Sequence, residues 1–127
     1  MIASGVMTRK VSTVRPEASV RELAELLSRE HISGAPVINA DGTIIGVVTE
    51  ADIIGKVDRE DLHVADIMSR EVITVKEETP VHEIAVLLSE HRIKRVPVVR
   101  DGKLVGIVSR ADIVDAIAHG FILVREW

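Results

Sequence analysis

A hydroxyl and a carboxylate stand three residues apart at the same kind of junction twice in this chain: Gly46-Val47-Val48-Thr49-Glu50-Ala51-Asp52 and Gly106-Ile107-Val108-Ser109-Arg110-Ala111-Asp112. An apolar run that enters a helix through Thr49 or Ser109 exposes the first backbone N–H groups of that helix and the positive end of its dipole, which suits phosphate. The hydroxyl can add a hydrogen bond to phosphate or sugar. The carboxylate, on the first helical turn, can accept both hydroxyl protons of a ribose. Thr-x-x-Asp and Ser-x-x-Asp are equally the pattern of a helix cap. The motif's repetition, its preceding glycine and its place inside a duplicated chain favour the ligand-binding reading.

The duplication organises the sequence. From Met7 and from Met68 two copies run in register at an offset of 61, which drops to 60 after one residue is lost in a turn. Twenty-two positions are identical, among them Thr13 with Thr74, Pro36 with Pro97, Gly46 with Gly106 and Asp52 with Asp112, too many for chance. Two copies are too few for a solenoid, so they are expected to pack as a pseudo-two-fold pair. The expected division is residues 1–60 for the first repeat and 61–127 for the second, together one module.

Each copy carries the same succession of elements. Val20, Leu23, Ala24 and Leu27, and likewise Val81, Ile84, Ala85 and Leu88, fall at i, i+3, i+4 and i+7 and predict amphipathic helices. Ser19 with Glu22 reads as a capping box, and Thr79-Pro80 as a cap followed by a first-turn proline. Two apolar runs follow in each copy, separated by Asp41-Gly42 or Asp101-Gly102, where a hairpin needs residues tolerant of positive φ. A second helix opens at Thr49 and at Ser109. The polar stretch 55–62 links the halves, and Gly120 is placed to stop the last helix. The apolar tail Phe121-Ile122-Leu123-Val124, with Trp127, is expected to pack on the module itself.

Composition narrows the function. The chain has 127 residues, 46% of them hydrophobic, enough for one compact core or two half-domains sharing one. Sixteen basic residues against 20 acidic ones give a net charge of −4, and the only aromatics are Phe121 and Trp127. This argues against a nucleic-acid binder, which needs a basic face and stacking platforms. No apolar stretch approaches the ~20 residues of a membrane span, so a cytoplasmic, membrane-free protein is expected. With no cysteine, thiol chemistry and thiolate zinc sites are excluded. His31, His63, His82, His91 and His119 form no i,i+3 or i,i+4 pair, so helical metal spacing is missing. Neither a P-loop nor a nucleophile elbow is present. No enzyme, no metal site and no obligatory cofactor are expected.

The order strand, helix, hairpin, helix, with Gly-hydrophobic-hydrophobic-Thr/Ser-x-x-Asp at the last turn and hydrophobic-x-x-x-Pro-Val before the hairpin, resembles the CBS (cystathionine-beta-synthase) domain from Val6 to about Ala118. The resemblance implies an α/β (α+β) fold of tandem repeats, each strand-helix-strand-strand-helix, with two small sheets packed in pseudo-two-fold symmetry as a Bateman module. It further implies clefts for AMP, ADP, ATP or S-adenosylmethionine, and dimerisation. Position by position, Asp52 and Asp112 match ribose-binding aspartates, and Thr49 and Ser109 adjoining phosphate or ribose ligands. Thr13 and Thr74, on the first strand of each copy, match a position lining the adenine pocket. Ile32, Ala35 and Pro36, and Ile93, Val96 and Pro97, belong to the segment that contacts the base. Strand propensity explains Thr13 and Thr74 nearly as well, and core packing is the better account of Ile32, Ile93, Met7 and Met68.

The copies differ in charge. His91, Arg92, Lys94, Arg95, Arg100 and Arg110 replace Glu30, His31, Ser33, Gly34, Asn39 and Glu50. A charge run is usually a solvated face. Lys94 and Arg95, however, immediately precede Val96-Pro97 in a stretch similar to phosphate-contacting segments of the AMP-activated kinase gamma subunit, and Arg110 adjoins Ser109. Phosphate recognition is expected there, with Glu50 disfavouring a long phosphate chain at the first copy. Unequal sites follow, the Asp112 cleft being the stronger. The preferred reading is a homodimeric regulatory module that binds AMP, ADP or ATP, senses energy state and signals to a separate, unidentified protein. An S-adenosylmethionine sensor, a ligand-free dimerisation module and a nucleotide hydrolase compete with it.

Overall fold

The computed structural model describes residues 1–59 and 61–120. Eleven elements follow in order: α1 (Ala3–Val6), α2 (Val20–Glu30), β1 (Gly34–Ile38), β2 (Ile44–Thr49), α3 (Glu50–Ile54), α4 (Val64–Ile67), β3 (Val75–Lys76), α5 (Val81–Glu90), β4 (Arg95–Arg100), β5 (Lys103–Ser109) and α6 (Arg110–Ala118). The fold is mixed α/β with two small sheets. One is the antiparallel pair β1–β2; the other has the order β3–β4–β5, with β3 parallel to β4.

Local chemistry sets the element boundaries. Ser19 Oγ accepts from the Glu22 N–H at 3.0 Å while the Glu22 carboxylate accepts from the Ser19 N–H, so α2 opens on a capping box. At α5 the cap falls elsewhere than expected. Pro80 itself, with extended ψ, is the N-cap, and Thr79 Oγ1 instead accepts from the Lys76 N–H at 2.9 Å, closing the turn after β3. The second hairpin turns through Asp101 and Gly102, at φ 53° and 79°, a two-residue turn that suits strand twist. The first hairpin is one residue longer. Gly42 sits at φ 88°, and Asp41 accepts from the Thr43 N–H at 3.0 Å. Gly120, at φ 76°, follows α6 as expected.

Two cores form, each under its own hairpin. In one, Leu23 and Leu27 of α2 pack with Val14, Ala35, Val37, Val48 and Val64; in the other, Ile84 and Leu88 of α5 pack with Ala3, Val75, Val96, Val98 and Val108. Leu23 and Ile84 are fully buried. Ala24 and Ala85, predicted on the same faces, are exposed, because Leu26 and Leu87 on the other flank of each stripe take the partly buried positions. The first strand expected in each copy is short. Val14 makes a single parallel bridge to Val37, and β3 has two residues, so Thr13 and Thr74 lie just ahead of the pairing, not within a strand.

The compact units cut the chain differently from the sequence copies. One comprises Met1–Val11 with the residues from Ile73 onward, the other Ser12–Val72. The segment before each copy therefore packs with the other copy. Helix α1 donates the Ala3 N–H to the Thr79 carbonyl at 2.8 Å and buries Ala3 in the second copy's core. Helix α4 buries Val64 in the first copy's core, and its N–H bonds the Ala18 carbonyl at 2.8 Å. The expected packing of the apolar tail concerns residues 121–127, which lie outside the described residues.

Candidate functional site

At the end of the first hairpin, β2 runs directly into α3 through Thr49, whose backbone is extended at φ −131° and ψ 171°. Asp52, on the first turn, accepts from the Thr49 N–H at 2.8 Å and from Thr49 Oγ1 at 3.2 Å, both on Oδ2. The neighbouring end of β1 closes this junction. Gly34 pairs with Thr49, and the Glu50 N–H donates to the Ser33 carbonyl at 2.9 Å. A side chain at position 34 would crowd it, since a Cβ there would meet the Val48 carbonyl oxygen at 2.9 Å and Thr49 Cγ2 at 3.2 Å.

The second copy repeats this junction with different charges. Ser109 caps α6: its Oγ accepts from the Asp112 N–H at 3.1 Å, and Asp112 Oδ2 accepts from the Ser109 N–H at 2.9 Å. Arg95 pairs with Ser109 where the first copy has Gly34 opposite Thr49, and the Arg110 N–H donates to the Lys94 carbonyl at 2.9 Å. Arg110 Nε donates to the Ile93 carbonyl at 3.2 Å, so this guanidinium folds back over the start of β4. Ile93, Lys94, Arg95, Ser109, Arg110 and Asp112 are thus gathered at one end of one unit. Thr74 leads into the parallel pairing of Val75 with Val98 in that same unit.

The remaining expected site residues divide by burial. Ala35, Pro36, Val96 and Pro97 are buried, Ala35 and Val96 within their cores. Ile32 and Ile93 are partly buried against their cores, as their core-packing account requires. Thr13 stands next to Val14, whose N–H bonds the Pro36 carbonyl at 3.1 Å. Met7 and Met68 pack at Gly106 and Gly46 respectively, and the copies' leading segments reach these hairpins through them.

One residue of the second junction is not evident from motif spacing. Thr8 Oγ1 donates to Asp112 Oδ1 at 3.0 Å, across a separation of 104 residues. The repeat of Met7-Thr8 as Met68-Ser69 at the offset of 61 is the signal that pairs these positions with the hairpins. The geometry of the aspartates also has a comparison within the chain. Asp66 accepts from the His63 N–H at 2.8 Å at the start of α4, in the same three-residue return bond. Among the described residues, no group of three or more histidines and carboxylates could hold a metal ion.

The CBS domain family matches this chain twice, over residues 3–59 and 64–119. The chain belongs to the CBS-domain family. The structure of the CBS-pair protein CBSX2 from Arabidopsis thaliana in complex with AMP is 31% identical, superimposes with a TM-score of 0.88, and is matched over 95% of this chain and 98% of that one. The CBS domain pair of protein MJ0100, in complex with 5′-methylthioadenosine and S-adenosyl-L-methionine, is 29% identical with a TM-score of 0.83, over 94% of this chain and 98% of that one. Among curated relatives, the chain matches an uncharacterised protein of Methanocaldococcus jannaschii at 33% identity over 89% of this chain and 38% of that protein. It matches the inosine-5′-monophosphate dehydrogenase of Halobacterium salinarum at 36% identity over 87% of this chain and 22% of that enzyme. The chain thus spans well under half of these relatives, and enzymes such as this dehydrogenase are matched only in their CBS parts. No helix among the described residues is long and apolar enough to cross a membrane.

Proposed function

We propose that this CBS pair is a regulatory module that binds an adenine nucleotide, AMP, ADP or ATP, and reports energy state to a separate protein. The observation that carries the reading is the gathering of Lys94, Arg95, Ser109, Arg110 and Asp112 at one strand-to-helix junction. The positive end of the α6 dipole and the Arg95 guanidinium suit a phosphate, and Asp112 suits a ribose. The AMP complex of the 31% identical CBSX2 supports the same ligand class. The first-copy junction, with Gly34 and Glu50 in place of Arg95 and Arg110, is the weaker site. Binding favours one arrangement of a homodimeric module, and the regulated partner reads that population shift. No catalytic role is assigned to the module.

The S-adenosylmethionine complex of MJ0100 favours a second reading, an S-adenosylmethionine sensor. The cations Arg95 and Arg110 favour a phosphate over a sulfonium. Thermal unfolding against AMP, ADP, ATP and S-adenosylmethionine separates the two, because a ligand at a hundred times its Kd adds about 2.7 kcal/mol to native stability. Stabilisation by adenine nucleotides alone supports the first reading, and stabilisation by S-adenosylmethionine alone supports the second. No shift with any of them leaves a ligand-free dimerisation module.

A further inference from the structure

Asp52 and Asp112 occupy equivalent positions but distribute their hydrogen bonds differently. Asp52 takes both of its bonds, from the Thr49 N–H and Thr49 Oγ1, on Oδ2. Asp112 takes one on each oxygen, from the Ser109 N–H on Oδ2 and from Thr8 Oγ1 on Oδ1. An ionised carboxylate offers about four acceptor directions, about two on each oxygen. Asp112 therefore keeps one direction on each oxygen, the arrangement a vicinal diol needs to bind both oxygens at once. Asp52 keeps its remaining directions together on Oδ1.

Thr8 is held in place by main chain, independently of its hydroxyl. Its N–H donates to the Ile107 carbonyl at 2.8 Å, and its carbonyl accepts from the Ile107 N–H at 2.9 Å. Gly106 permits this approach, since a Cβ there would meet Met7 Sδ at 2.6 Å and the Thr8 carbonyl oxygen at 3.1 Å. Ser69 makes the same two bonds to Val47, both at 2.9 Å, over Gly46. Among the described residues no bond joins the Ser69 hydroxyl to Asp52. The branched Thr8 side chain is the stiffer of the two at χ1, which suits it to holding an oxygen on a fixed partner.

We propose that Thr8 is a positioning and specificity-determining residue of the Asp112 site, ordering the carboxylate so that it accepts the two hydroxyls of a ribose, one on each oxygen. This rests on the adenine-nucleotide reading, with Asp112 as its ribose ligand, and adds to it the residue that orders this carboxylate. It also places a residue from the start of the first copy in the site of the second.

Titration calorimetry with AMP and with 2′,3′-dideoxyadenosine monophosphate tests it on the wild type, Thr8→Val, Thr8→Ala and Ser69→Ala. The wild type prefers AMP. Both Thr8 variants reduce that preference about three- to tenfold, the effect of one ordinary hydrogen bond, while affinity for the dideoxy nucleotide stays constant. Ser69→Ala leaves the preference unchanged. An unaltered preference in Thr8→Val and Thr8→Ala overturns the proposal, and so does a parallel loss of affinity for both nucleotides, which marks a merely structural role. If the wild type binds neither nucleotide, the parent reading falls and this one with it; binding by the wild type with unresponsive Thr8 variants sinks this inference alone.

Discussion

Arg95 stands opposite Ser109 across the β4–β5 ladder, at the position where the first copy has Gly34 opposite Thr49. Together with Lys94 for Ser33 and Arg110 for Glu50, this exchange makes the two junctions electrostatically unlike although their backbones are built the same way. Arg95→Ala should weaken AMP binding about tenfold, the effect of a lost charge-assisted hydrogen bond, while binding of uncharged adenosine changes little. Equal losses for AMP and adenosine in calorimetry would remove the phosphate role from Arg95. The reverse exchange, Gly34→Arg, should fail to create a second anion site and instead destabilise the fold by about 1–3 kcal/mol, because its Cβ meets the Val48 carbonyl oxygen.

Asp66 and Asp112 close the same three-residue return bond, on the N–H groups of His63 and Ser109. Asp66→Ala and Asp112→Ala should therefore each cost about 0.3–1.5 kcal/mol in urea unfolding, as a capping device does. Only Asp112→Ala should abolish the rise in Tm produced by an adenine nucleotide. If both variants keep that rise, the aspartates are helix caps and nothing more.

Gly46 and Gly106 stand where the leading segments cross the hairpins. Alanine at either position should destabilise by about 1–3 kcal/mol. Gly46→Ala should be the worse of the two, because its Cβ would meet the Ser69 carbonyl oxygen at 2.9 Å, against 3.1 Å to that of Thr8 at Gly106. Denaturant midpoints at constant m-value measure the difference, and two variants as stable as wild type would show that the segments move aside freely.

Glu77 is held below the ordinary glutamate range by its hydrogen bonds from Arg100, one of them 2.8 Å from the terminal guanidinium nitrogen; partial desolvation opposes this, and the charges of Arg100 and Arg9 reinforce it. A carboxylate whose folded-state pKa is depressed contributes stability above its unfolded value, and loses it as pH falls through the folded value. Glu77→Gln should therefore lower Tm slightly at neutral pH, and the gap from wild type should close below the ordinary glutamate range. A gap that persists unchanged in acid would mean that packing, not charge, holds this pair.

Much of the fold was legible because its determinants are local. Ser19 and Glu22 announce the start of α2, Asp101-Gly102 the second hairpin turn, and the spacing of Leu23 with Leu27 the buried stripe. Where local rules compete, the reading was less accurate. Thr79 serves the turn from Lys76 and not the helix cap, and Ala24 yields its place on the stripe to Leu26. Helices α1 and α4, at four residues each, are too short for periodicity to reveal. Of the candidate site, Ser109 with Asp112 and Thr49 with Asp52 could be read from spacing, since each pair closes within one helical turn.

By itself the sequence determined the duplication, the succession of elements in each copy and the two hydroxyl-carboxylate junctions, because helix caps, hairpin turns and apolar periodicity act over a few residues. Only the tertiary structure decided that the segment before each copy packs with the other copy, and that Thr8 reaches Asp112 from 104 residues away. The crossings of Thr8 and Ser69 depend on the room left by Gly106 and Gly46. That is a property of the packed chain, which no short stretch of residues encodes.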